Sequence, residues 1–152
     1  MHWYILSFPW ILPLVALGDD TVIPLSDWNQ CGPNALYVCA RLAEIEVTRD
    51  RLIELCEVDS DGGCSVADLV RAARAVGFRN ACAVQTSVTG LSNMRVPAII
   101  HDNLQTPQHF LAVIGQRDGE VLVLNPPSGH YWLNKEKAAQ EWASRFAGTP
   151  LV

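Results

Sequence analysis

The stretch "DWNQCGPNALYVCARL" sets Cys31 directly before Gly32 and Pro33 and then runs into apolar residues of helical character. A cysteine at a helix N-terminus is placed for nucleophilic chemistry, because exposed N–H groups and the helix dipole favour the reactive thiolate. Cys31 is therefore expected to carry a depressed pKa and to react faster than the other four cysteines. It needs a base, and the histidines are His2, His101, His109 and His130. His2 lies in an apolar N-terminal stretch, His101 ends an apolar run beside Asp102, and His130 follows a Pro-Pro-Ser-Gly turn. His109 opens the strand "HFLAVIG", from which it could face the helix end. The chain turns at Arg117-Asp118-Gly119 and returns to Asn125. A three-residue loop would leave Asn125 diagonal to His109, and a five-residue loop would set them directly opposite. In either register Asn125 can hold the imidazole through Nδ1–H, with Leu111, Val113, Val121 and Val123 filling the same face between helix and sheet. Cys-His-Asn is the set that breaks amide bonds through a thioester.

These groups need a scaffold, and the periodicity supplies one. "NALYVCARLAEI", from Asn34 to Ile45, is apolar on most of its circumference, as a buried central helix would be. Pro33 suits its first turn, because a proline there loses no needed N–H. "TRDRLIELCE" reads as a short second helix. "SVADLVRAARAVG" reads as a third, with Ser65 and Asp68 in capping-box spacing, a stripe of Val66, Leu69, Val70, Ala73 and Val76, and Gly77 as its stop. Beyond Gly77 the pattern becomes extended, in "NACAV", "VPAIIHD", "HFLAVIG", "EVLVLN" and "HYWLN". "KEKAAQEWASRF" suggests a closing amphipathic helix. Helices followed by hairpin-linked strands predict an α+β fold, with N-terminal helices and a buried central helix packed on an antiparallel sheet.

With 152 residues, 49% of them hydrophobic, the chain can bury the core of one domain. A net charge of −5 without any basic block argues against a nucleic-acid partner. Residues 1–18 are expected to be a signal peptide or N-terminal apolar segment, with Ala16 and Gly18 before Asp19-Asp20 resembling a cleavage site. The domain then spans 19–152, and it is expected to be exported to a periplasmic or extracellular location. Membrane association is expected only through that segment. Five cysteines leave at least one thiol unpaired in an oxidising compartment. Cys56 could close on Cys64 through "CEVDSDGGC", while Cys39 and Cys82 read as small core residues. No cysteine or histidine cluster has zinc spacing, and no metal or cofactor is expected.

Taken in order, "CGPNAL", "DGGCSVADLVRAARAVGF", "VPAIIHD", "HFLAVIG" and "VLNPPSG" resemble the C39 peptidases, the papain-like family known as leader-cleaving domains of bacteriocin exporters. The resemblance runs from about Asp27 to Gly129. It implies a papain-like fold, a peptide or protein substrate, Cys31 as nucleophile, His109 as general base, and Asn125 where the family usually has Asp before Pro. The family's oxyanion-hole glutamine stands six residues before the cysteine, a position that is Leu25 here. Gln30, and after it Asn29, are the expected substitutes. No "GxxxxGK" occurs, so the resemblance implies neither transport nor a double-glycine leader as substrate. Two functions follow: a cysteine peptidase, or an inactive domain of the same fold that binds peptide segments in its cleft.

Overall fold

A computed structural model describes residues 5–7, 30–58, 63–84, 97–102, 109–126 and 128–138. Three helices, α1 (Cys31–Leu42), α2 (Arg49–Leu55) and α3 (Val66–Ala75), lie in sequence before most of the sheet. The strands are β1 (Ile5–Ser7), β2 (Cys82–Val84), β3 (Ala98–Asp102), β4 (His109–Arg117), β5 (Glu120–Asn125) and β6 (Gly129–Asn134). They form one sheet in the order β2-β1-β3-β4-β5-β6, with every neighbouring pair antiparallel. The α+β expectation is met, with one addition. Ile5–Ser7, from the segment expected to precede the domain, runs between β2 and β3.

Helix α1 is central because almost nothing on its surface needs water. Ten of its twelve residues are buried, with Tyr37 and Arg41 the exceptions. It begins at Cys31 itself, which puts Gly32 and Pro33 in the first turn. Local signals set the other helices. Thr48 accepts from the Arg51 N–H at 3.2 Å to open α2. Ser65 and Asp68 form the full capping box of α3, and Gly77, at φ +123°, ends it. Asp68 is held below the usual carboxylate range, first by its hydrogen bond with Ser65 and then by Arg71. Leu69, Ala72 and Ala73 of α3 join Leu52 of α2 and the apolar face of α1 in the main core.

That core reaches the sheet through Ile99, Phe110, Ala112, Ile114 and Leu124. Leu111, Val113, Val121 and Val123 point the other way. They pack with Ala98, Ile100 and Ala138 in a second cluster, so the expectation that they lie between helix and sheet is overturned. The hairpin explains the difference. Arg117 pairs with Glu120, so the loop is the two-residue turn Asp118-Gly119, with φ of +31° and +81°. Positive φ at both positions is the turn whose twist matches the flanking strands, and Asp-Gly is a preferred pair for it. A bulge between Val113 and Gly115 then adds one residue to β4. Beyond it Val113 faces Val123 and Ala112 faces Leu124, the register that a three-residue loop without a bulge would have produced. Asn125 is thus diagonal to His109 after all. After β6, Asn134 Oδ1 accepts from the N–H groups of Glu136 and Lys137 to start a helical turn. The remainder of the expected C-terminal helix lies outside the described residues.

Candidate active site

Cys31 opens α1 with 5% of its surface exposed. Pairing between β4 and β5 stops at Ala112 and Leu124, so the ladder does not use the Phe110 N–H. That N–H donates to Cys31 Sγ at 3.4 Å. The sulfur therefore meets β4 at its backbone, one residue from His109, with the side chains of His109 and Phe110 directed to opposite faces of the strand.

His109 is 2% exposed, and its Nε2 lies 2.7 Å from Asn125 Oδ1. A carbonyl oxygen only accepts, so Nε2 carries the hydrogen and Nδ1 is the basic nitrogen of the neutral ring. The amide thus holds the nitrogen opposite to the Nδ1–H expected from the sequence.

Burial pushes the Cys31 thiol up, and hydrogen bonds from the N–H groups of Phe110, Gly32 and Cys31 pull it down. Burial is the larger effect, which reverses the expected depression. A helix N-terminus supplies donors, but the surrounding apolar core disfavours a charge that has no counter-ion. A thiolate in this setting depends on a cation beside it.

The neighbouring thiols complete the wall. Cys64 is hydrogen-bonded to Cys56, and that contact, followed by burial, raises its pKa strongly. The two cysteines expected to approach each other do so, as free thiols. Cys64 also packs against Gly32, where a Cβ would stand 2.5 Å from its sulfur and 3.1 Å from the Phe110 ring. Cys39 is fully buried and its thiol is likewise pushed up by burial. Cys82 is half-buried on β2. Cys31, Cys39 and Cys64 all favour the protonated thiol in the fold, so their contribution to stability is complete below the ordinary thiol value and is lost as pH rises through the folded values. The urea midpoint should fall as pH passes above about 8.5. The fall should be smaller in Cys39→Ala, and equal slopes in the two proteins would show that Cys39 titrates normally.

Gln30 precedes the helix, half-buried, and its Oε1 accepts from the Arg49 guanidinium at 3.1 Å. That anchors the amide to α2. Asn29 and Leu25 lie outside the described residues, as does His2. His101 is 9% exposed and its ring packs on Phe110, with centroids 4.6 Å apart. His130 is exposed on β6. The amide of Asn34, one turn beyond Cys31, is fully buried and neither of its polar atoms has a hydrogen-bond partner. Such an amide costs about 1–3 kcal/mol of stability. Sequence reasoning passed over Asp102, which is 1% exposed and is the cross-strand partner of His109. Its signal was its position at the end of "VPAIIHD", level with the start of "HFLAVIG" once the two strands are paired. Among the described residues no group of acidic, histidine or cysteine side chains could hold a metal ion.

The model of the Peptidase C39 family matches residues 21–147. The chain belongs to that family. It is similar in structure to a double glycine motif protease from an AMS/PCAT transporter, solved in complex with the leader peptide. The TM-score is 0.57 at 17% identity, over 88% of this chain and 84% of the other. No curated protein sequence matches. Membership and the shared fold make the architecture papain-like and point to a cysteine peptidase.

Proposed function

We propose that the protein hydrolyses peptide bonds through an acyl-enzyme, with Cys31 as nucleophile, His109 as general base and acid, and Asn125 as the group that orients the imidazole. The observation that carries this reading is the 2.7 Å bond between His109 Nε2 and Asn125 Oδ1, on a strand whose next N–H donates to the Cys31 sulfur. His109 Nδ1 takes the thiol proton, the sulfur attacks the substrate carbonyl, and the imidazolium returns the proton to the leaving amine. Water, deprotonated by the same nitrogen, then releases the acid and restores the thiol. The carbonyl oxygen becomes negative in the transition state and needs donors. The backbone N–H of Cys31 is one, and the Gln30 amide is our candidate for the second, with Asn29 the alternative. The substrate is a peptide or an extended protein segment, a class in keeping with the leader peptide bound to the structural neighbour.

The second reading, a domain that binds peptide without cleaving it, is favoured by the position of Leu25 and by the protonated, buried thiol. The two separate in one experiment. The intact chain is incubated with a peptide library and new N-termini are identified, before and after brief alkylation mapped to Cys31. Cleavage that disappears in proportion to Cys31 alkylation supports the peptidase. Retention of peptides without cleavage, with Cys31 no more reactive than Cys82, supports the binding domain.

A further inference from the structure

We propose that Asp102 is a positioning residue whose carboxylate faces the His109 ring and supplies the negative charge that Asn125, an amide, cannot. The inference rests on the Cys31–His109 pair of the proposed function. Register gives the first argument. Asp102 and His109 are direct partners in the antiparallel pairing of β3 and β4, so their side chains share a face. Because the Phe110 N–H turns away from β3 to the sulfur, His109 and Asp102 are the pair whose backbone groups face one another. Directly opposite residues have their Cβ atoms about 4.5–5.5 Å apart, within the reach of a carboxylate to an imidazole.

Burial gives the second argument. Asp102 is the one buried acidic residue among the described residues, and His109 beside it is equally enclosed. A carboxylate out of water is costly unless a cation stands close to it. Among the described residues Asp102 from β3 is the cross-strand partner of His109 and the uncharged Asn125 from β5 bonds its ring, while Cys31, with Cys64 and Cys56 near it, is the thiol that the proposed function pairs with it. His101 packs on Phe110 and so belongs to the other face. When the Cys31 proton moves to His109, the site holds a thiolate, an imidazolium and the Asp102 carboxylate. The imidazolium then has an anion on each side. The thiolate needs that cation most in a site whose burial otherwise keeps the thiol protonated.

The experiment follows the pH dependence of Cys31 alkylation by iodoacetamide, read by peptide mapping of the full chain, and it needs no substrate. Asp102→Asn removes the charge and keeps the shape. Alkylation between pH 6 and 8 should fall by about tenfold, because the imidazolium loses the carboxylate that favours it. The double variant Asp102→Asn/Asn125→Asp, which returns a carboxylate to the ring from β5, should recover most of that loss. A profile in Asp102→Asn that superimposes on the parent overturns the proposal, as does a loss that Asn125→Asp fails to rescue, which a merely structural role would give. Should Asp102→Asn not fold, Asn125→Asp alone reads the same charge. With one carboxylate already facing the ring a second adds less than about threefold, and a tenfold gain would overturn the idea. Absence of peptide cleavage bears on the proposed function and leaves these alkylation outcomes as they stand.

Discussion

Replacing Cys31 with alanine is expected to lower peptide hydrolysis by roughly 10⁴-fold or more, to the level left by binding and backbone donors alone. The expectation follows from the isolation of the thiol. Cys31 is the sulfur that accepts from the Phe110 N–H at the end of the β4–β5 ladder, whereas Cys64 is engaged with Cys56 and Cys39 is enclosed in the core. His109→Ala should cost nearly as much, because an unassisted, protonated thiol is a poor nucleophile. Nucleophile and base act as a unit, so the double variant should fall no further than the worse of the two single ones. Initial rates on one cleavable peptide measure all three. A Cys31→Ala protein that keeps more than about a tenth of the parent rate would show that the bond is broken elsewhere.

Gly32→Ala should have the largest effect on stability. The added methyl would enter space already held by the Cys64 sulfur and the edge of the Phe110 ring, at 2.5 and 3.1 Å. Overpacking of this kind costs about 1–3 kcal/mol, and here the backbone of α1 and the strand carrying His109 are the parts that would have to separate. Activity should drop with stability, because the displacement opens the gap between Cys31 and β4. Cys64→Ala in the same chain removes the closer of the two obstacles. The urea midpoint should then recover by more than half, while Cys64→Ala alone stays near the parent. A Gly32→Ala protein as stable as the parent would mean that Cys64 moves aside freely and that glycine is not required at this position.

Much of the site could be read from local spacing, because local spacing is what determined it. Cys31, Gly32 and Pro33 mark a helix start wherever they occur before an apolar run, and Ser65 with Asp68 marks another. His109 and Asn125 could be paired because a hairpin couples its two strands through few variables. The loop was misjudged by one residue, yet the bulge after Val113 cancelled the error. Facing was the casualty. Alternation shows that Leu111 and Val113 share a side, but which side meets α1 depends on how the helix lies across the sheet. The acidity of Cys31 was misjudged for a similar reason: the Gly32 and Cys31 N–H groups that lower it are local, whereas the Phe110 N–H and the burial that raises it come from residues distant in sequence. Asp102 was invisible because its meaning depends on register between segments separated by residues 103–108. β1 was missed because an apolar stretch holding Pro9 and Pro13 resembles an export segment more than a strand.

Strand β1 has one consequence for any form of the protein processed before Asp19. Ile5–Ser7 is hydrogen-bonded on both of its edges, to β2 on one side and to β3 on the other, and is antiparallel to each. β2 and β3 therefore run in the same direction, about 9–10 Å apart, with one chain between them. Cutting that chain away leaves a slot whose two rims present unsatisfied N–H and C=O groups at matching heights. The rims could pair with each other only as parallel strands, which requires them to approach by one strand spacing and adopt a different register. Another extended segment, laid antiparallel to both, restores the lost bonds without moving either rim. Processing at the N-terminus would thus convert a sealed sheet into a receptor for a strand.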